Sequence, residues 1–303
     1  MTAVSRSVLA PDRRVPEYAP RPAATSRRRP RDRVAAVILH VVLVAGLLAM
    51  VGPFLWMLLS SFKSEGEVRE FPPTWWPHHP TLDNYRDLFA RLDFPHYFAN
   101  SALVAIVVTA GNLLICSLTA YALAKLPFPG RRWVFAVVVG NVMVPVMVTF
   151  VPTFVLVSRL GLVNTYAGLI LPNIALAVNV FLIRQFMLSL PDELLESARM
   201  DGAGEFRIFW KIVLPLCRPV LATVGILTFL GSWNNFLWPL VVATTEDKYT
   251  LPVALALYSV GQNQTRYGLL LAGSVVVVTP ILIIFFVLQR HFVRGIATTG
   301  MKA

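Results

Sequence analysis

Six stretches of almost wholly apolar residues, each about as long as a helix needs to cross a hydrocarbon core, occupy about half of this chain. They run over residues 34–62, 98–124, 133–157, 167–190, 220–241 and 269–288, and none of them contains Asp or Glu. Of the 303 residues 56% are hydrophobic and only 14% are charged. A water-soluble domain does not carry that balance. The fold class expected is all-α, a polytopic integral membrane bundle of about six transmembrane helices.

Charge sets the expected orientation. Residues 1–33 are rich in Arg and Pro, with Arg27, Arg28 and Arg29 in a row, and lack apolar periodicity, so they read as a disordered basic tail. If that tail is cytoplasmic, 20 of the 27 basic residues fall on its side and 7 on the other, a strongly positive-inside distribution. Both termini and the loop 191–218 are then cytoplasmic. The formal charge of +11 is accounted for by topology and anionic membrane lipid, with no nucleic acid. The run after Arg33 is too long for a signal-peptide core and is expected to be retained as the first span. The membrane-spanning body is taken as residues 34–303, with the loop 191–218 projecting from it.

What the spans lack excludes several activities. Proton or sodium relays need intramembrane carboxylates, and there are none. A self-contained ATPase needs a Gly-rich phosphate loop ending in Gly-Lys, and none of Lys63, Lys125, Lys211, Lys248 or Lys302 follows a glycine. His40 and Arg184 have no carboxylate neighbour in sequence, Arg184 reading as a snorkelling side chain. His78 and His79 read as solvated loop residues. Cys116 and Cys217 are expected on different levels of the membrane, as small packing residues without a disulfide. No catalytic site, no metal site and no cofactor bound by this chain are expected.

What the spans do contain is neutral hydrogen-bonding capacity: Asn141, Asn179 and above all Trp233, Asn234 and Asn235 in the fifth span. Such groups can bond and stack on an uncharged polyhydroxylated solute. Interhelical hydrogen bonding accounts for the isolated asparagines equally well. Prolines at 53, 145, 152, 172, 239 and 280 predict bent helices. Between the first two spans, residues 63–97 read as an extended Pro-rich stretch followed by a short amphipathic helix, with Trp75 and Trp76 at the membrane interface.

The concentrated charge outside the tails lies at 191–215. Pro191 suits a first helical turn, Asp192, Glu193 and Glu196 favour the positive end of the dipole, and Gly202 can take the left-handed conformation that ends a helix. A second helix from Glu205 is expected to turn Phe206, Phe209, Trp210 and Val213 to one apolar face. Such a hairpin either rests on the bilayer or is offered to a partner, with small Ser197 and Ala198 permitting close approach beside Glu196.

This segment resembles the signature of the permease subunits of ABC importers, which is Glu-Ala-Ala, three residues, Gly, nine residues, Ile, one residue, Leu-Pro. Here it stands as Glu196-Ser197-Ala198, Gly202, Ile212 and Leu214-Pro215. The one departure is Ser197 for the first alanine. Asp201-Gly202-Ala203, Ala120 to Ala124 and Ser232 to Phe236 extend the likeness to the maltose-type carbohydrate-uptake branch. The resemblance implies a coupling helix seated on a cytoplasmic ATPase dimer, with ATP used by that partner. It also implies a second homologous permease, an extracytoplasmic solute-binding protein, a sugar or oligosaccharide substrate and a bacterial plasma membrane location. A permease for glycerol phosphate, and a non-transporting membrane scaffold, are the alternatives.

Overall fold

A computed structural model describes residues 30–91, 93–259 and 266–299, with side chains placed over 37–90, 93–259 and 266–283. Of the expected disordered tail, 1–33, residues 1–29 lie outside the described residues, and residues 30–33 already belong to the first helix. All regular elements among them are helical. In order these are α1 (Pro30–Ser60), α2 (Glu65–Val68), α3 (Asp83–Arg91), α4 (Phe94–Gly111), a π-turn (Asn112–Cys116), α5 (Ser117–Lys125), α6 (Arg131–Met143) and α7 (Val146–Arg159). There follow α8 (Tyr166–Ile170), α9 (Ala177–Leu188), α10 (Glu193–Met200), α11 (Glu205–Ile208), a second π-turn (Phe209–Val213), α12 (Leu214–Leu216) and α13 (Arg218–Trp233). The last are α14 (Leu237–Val242), α15 (Leu251–Ser259) and α16 (Tyr267–Thr299). The chain divides into two units, 1–52 and 53–303. In the first, α1 begins at Pro30, where a proline costs no hydrogen bond, and Val37 to Met50 are exposed apolar residues almost throughout. Apolar surface of that extent is stable against lipid or another apolar protein and not against water.

The apolar stretches expected from sequence are helical as read, but fewer are straight. Val37–Ser60 and Phe94–Lys125 are continuous. Three others are pairs of helices meeting at an angle: 103° between Arg131–Met143 and Val146–Arg159, 42° between Tyr166–Asn173 and Ala177–Leu188, and 78° between Glu205–Leu216 and Arg218–Trp233. Prolines explain the sites. Pro145 has no N–H to donate and forces Val144 into an extended conformation (φ −82°, ψ 120°). Pro172 stands in the last turn before the second break, and Pro215 and Pro219 bracket the third. Pro53, Pro152 and Pro280 lie inside continuous helices.

A break in a membrane helix frees backbone groups that must find partners. At residues 173–176 one side chain supplies them. Asn112, fully buried in the π-turn between α4 and α5, donates from Nδ2 to the carbonyl of Asn173 at 2.7 Å and accepts at Oδ1 from the N–H of Leu176 at 2.9 Å. The same oxygen accepts from Asn179 Nδ2 at 3.0 Å, and Asn179 also donates to Thr228 Oγ1 at 2.9 Å. Three apolar stretches are thus knotted at one amide. Gly111 is required beside it, because a Cβ there would overlap the side chain of Ile174.

The segment 63–97 contains α3 where an amphipathic helix is expected. Its Pro-rich part is held as a loop and not as a strand. Lys63, 2% exposed, donates to the carbonyl and hydroxyl of Thr74, and Thr81 N–H returns to Phe62 O at 2.8 Å. Trp75 and Trp76 stay exposed, as an interfacial position requires. Asn84 ties α3 to the end of α1 through the carbonyls of Ser61 and Lys63, at 2.9 and 2.7 Å. Glu65 caps α16 by accepting from the N–H groups of Tyr267 and Gly268.

Replacing Asn112 by Leu keeps the volume and removes every one of these bonds. The buried Leu176 N–H and Asn179 amide lose their shared acceptor, at about 1–3 kcal/mol for each orphaned group. The Asn112→Leu chain is expected to unfold at a lower temperature in detergent than the parent, and Asn112→Gln to fall between them. A midpoint equal to the parent's in Asn112→Leu would show that the knot carries no stability.

Candidate functional site

The charged hairpin is built onto the end of α5. Helix α10 buries two side chains, Leu195 at 1% and Ala198 at 9% exposure, in an apolar cluster with Tyr121, Leu123, Ala124, Ile183 and Met187. Its opposite face, with Glu196, Ser197 and Met200, is exposed. Glu193 and Glu196 stand in its first turn and Arg199 in its last, matching the helix dipole. Gly202 ends it with φ +77°. The N–H of Ala203 closes back on Ala198 O and that of Gly202 on Arg199 O, each at 3.0 Å, the hydrogen bonding of a Schellman cap.

Polar contacts fix both ends of α10. At its start Lys125 Nζ, whose side chain is 4% exposed, donates to Leu190 O at 2.7 Å and to Asp192 Oδ1 at 2.6 Å. At its end Arg199 Nε donates to Glu205 Oε1 at 2.8 Å, and Tyr121 donates its hydroxyl to Glu205 Oε2. Lys125 and Tyr121 are one turn apart on α5. The Lys125 ammonium holds the Asp192 carboxyl below its usual range, and Arg199, with Tyr121, does the same for Glu205 against the effect of burial. The side chains of Glu193, Glu196 and Asp201 are exposed and make no hydrogen bond or ion pair among the described residues. Of the hairpin's five carboxylates, Asp192 and Glu205 are therefore spent internally and these three face outwards.

The residues picked out by sequence divide accordingly. Glu196, Ser197, Asp201 and Gly202 are exposed. Ala198, Ala203, Ile212 and Leu214 pack in or against the cluster, and Pro215 is half-buried. One expectation is corrected. The second helix does not present Phe206, Phe209, Trp210 and Val213 as one face, because α11 widens into the π-turn after four residues. Ile208, Phe209 and Val213 are buried instead, while Phe206 is 75% and Trp210 50% exposed. Met200 is an exposed apolar residue of the hairpin that sequence reasoning missed, and its place two residues before Gly202 was the available signal. Arg184 lies over the Phe135 ring, 3.7 Å from its centroid, and donates to Leu123 O. Cys116 and Cys217, expected on different levels, are free thiols in this same cluster.

The expected solute-lining residues are not brought together in one place. Trp233 is 2% exposed. Its ring stacks on Phe229 and meets Phe98 edge-on, and Nε1 donates to Val277 O at 3.1 Å. The indole is thus taken up within this chain. Asn179 is spent in the knot with Asn112 and Thr228. Asn234 is exposed at the break between α13 and α14, Asn235 accepts from Trp238 N–H at 3.3 Å, and Asn141 is exposed on α6.

Residues 112–298 match the family of binding-protein-dependent transport system inner membrane components. The chain belongs to that family. A relative from Halalkalibacterium halodurans, an arabinooligosaccharides transport system permease protein, is 43% identical over 255 residues, 82% of this chain and 90% of the relative. An sn-glycerol-3-phosphate transport system permease protein of Pectobacterium atrosepticum is 33% identical over 264 residues, 85% of this chain and 94% of its own. Among solved structures, a bacterial ABC transporter involved in the import of the acidic polysaccharide alginate superposes with a TM-score of 0.79 at 25% identity. That likeness covers 87% of this chain and 98% of the other. This membrane component carries its signature on the clamped hairpin.

The clamp's pH dependence follows from its carboxylates. Both have folded pKa values below their ordinary 3.8 and 4.5. Their contribution is present above those ordinary values and is lost only as pH falls through the lower folded ones. Protection of residues 191–205 from hydrogen exchange is expected to be constant from neutral pH down to about the ordinary carboxylate range and to fall below it. Loss of protection already between neutrality and that range would contradict the assigned ion pairs.

Proposed function

We propose that this chain is a permease subunit of a bacterial importer that moves a sugar or oligosaccharide through the membrane with energy from ATP hydrolysed by a separate cytoplasmic ATPase dimer. The observation that carries this reading is the outward face of α10. A helix anchored at both ends leaves Glu196 and Asp201 ionisable, exposed and without partners, beside the bare backbone of Gly202 and the exposed Met200 and Phe206. A face with charged and apolar groups in the open, on a rigid support, suits a protein partner that brings arginines or backbone N–H groups and an apolar cleft.

A second homologous permease completes the path, and an extracytoplasmic binding protein delivers the solute. Both termini are cytoplasmic on the charge distribution. The exposed apolar faces of α1, α6 and α7 are then met by lipid and by the second permease. An uncharged solute agrees with the spans, which hold neutral amides and hydroxyls and no carboxylate. The relative that carries an arabinooligosaccharide points the same way, and the one that carries sn-glycerol 3-phosphate defines the competitor to test. No ATP or other cofactor is held by this chain in this reading, and its part in the cycle is mechanical: α10 receives the displacement of the ATPase and the bent helices take it up.

Glu196→Arg reverses the charge of the docking face, and Gly202→Asp places a side chain on a left-handed backbone, which costs about 1–2 kcal/mol, in the open contact region. Each variant is expected to insert normally, to lose co-purification with the ATPase and to abolish uptake of labelled arabino-oligosaccharide in cells lacking the native chain. Uptake at the parent's rate by both variants would rule out the docking role. Uptake of labelled sn-glycerol 3-phosphate by the parent chain, with no uptake of labelled saccharide, would move the substrate to the phosphate ester.

A further inference from the structure

The hairpin's attachment to the rest of the chain has an unusual distribution. Helix α10 meets the body through two buried apolar side chains near its middle, Leu195 and Ala198. Polar bonds stand at its two ends, and both come from one helix. Lys125 takes Asp192 at the start and Tyr121 takes Glu205 at the end, with Glu205 bonded in turn to Arg199 in the last turn of α10. A force applied to α10 at its exposed face would be resisted at both ends by α5, whichever way the helix tilted. Residues four apart lie on one face of a helix, so the two attachments act along a single edge of α5.

That edge leads directly to the knot described above. Helix α5 is continuous, through the π-turn at Asn112–Cys116, with α4 in a 32-residue span, and Asn112 in that turn holds the break at 173–176 and, through Asn179, Thr228 of α13. Tyr121 is also packed by its ring against Phe209 of the second π-turn, at 5.5 Å between centroids. Of the clamp's carboxylates, Asp192 is paired with Lys125 of α5, and Glu205 is paired with Arg199 of α10 and joined to α5 by the Tyr121 hydroxyl.

We propose that Tyr121 and Lys125 are the positioning residues that make α10 and α5 move as one body, so that displacement of the hairpin by its ATPase is delivered to the second span and thence, through Asn112, to the fourth and fifth. This rests on the docking role proposed for α10. The clamp contributes nothing to binding the ATPase, since neither Tyr121 nor Lys125 belongs to the exposed face; its work is to prevent α10 from hinging on Leu195 and Ala198 when pushed. Tyr121 is the more informative of the two, because Tyr121→Phe removes one hydroxyl and leaves the ring in the cluster.

The test uses the whole importer purified with its ATPase, with Cys116→Ala and Cys217→Ala as background and spin labels on Leu194→Cys of α10, which is exposed and lies outside the proposed docking residues, and on Thr119→Cys of α5. The inter-label distance is read by pulsed electron resonance without nucleotide and after trapping with ATP and vanadate. With the clamp intact the distance is expected to be the same in both states. In the added double variant Tyr121→Phe/Asp192→Asn the distance is expected to shift and broaden on trapping, while co-purification with the ATPase is unchanged. A distance that stays fixed in the double variant would overturn the proposal, as would one that already changes with the clamp intact. Loss of the ATPase from the double variant would also overturn it, by showing that these residues shape the docking face. Failure of the parent chain itself to co-purify with an ATPase would instead remove the docking reading on which the proposal stands.

Discussion

Backbone groups inside a membrane have no water to turn to, and this chain breaks its helices repeatedly. Each break therefore needs partners for the groups it frees, and where a side chain supplies them that side chain organises the molecule. Asn112 closes residues 173–176 with its amide. Lys125 closes the end of α9 by taking the Leu190 carbonyl. Asn235 accepts from Trp238 N–H at the start of α14. A buried group left open would cost about as much as several ordinary hydrogen bonds contribute. The bent architecture is accordingly only as stable as these few polar side chains.

The same economy links fold to site. Lys125 both terminates α9 and holds Asp192, so the hairpin begins where the preceding helix is sealed. Asn112 occupies a π-turn, in which the added residue per turn opens the helical hydrogen bonding and lets its side chain reach the neighbouring break. Rigid supports with one discrete opening are the kind of element that can hold two arrangements, which a machine driven by alternating states requires.

The helical membrane character was legible because apolar length and the absence of carboxylates in the spans speak directly to cost in lipid. The hairpin was legible because Pro191, the acidic first turn and Gly202 are local signals that need no tertiary context. Straightness was not. A proline announces that a bond is missing without saying whether the helix continues, as at Pro152, or turns through 103°, as at Pro145; that depends on what packs on either side. The face of the second hairpin helix was misread for a related reason. A period of 3.6 residues joins Phe206 to Phe209 and Trp210 to Val213, and the π-turn changes the period in the middle. Trp233 shows the third limit: an indole amid asparagines in an apolar helix has the composition of a binding surface, yet it is buried, with Phe229 stacked on it, Phe98 in an edge contact and the Val277 carbonyl taking its donor.

The signature residues of the hairpin answer two different physical demands, and the one departure from it falls where the demand is weak. Ala198 is 9% exposed and lies in the apolar cluster, so a larger residue would lift α10 off its support and strain both ends of the clamp. Ser197 is on the open face, and its hydroxyl is absorbed by its own helix, donating to Leu194 O at 3.1 Å. A serine there leaves no polar group unsatisfied and adds little bulk for an approaching partner. The second alanine of the motif is thus required by the fold and the first only by the contact, which is why the first can be exchanged for another small residue while Gly202, needed for a left-handed turn, cannot be exchanged without strain.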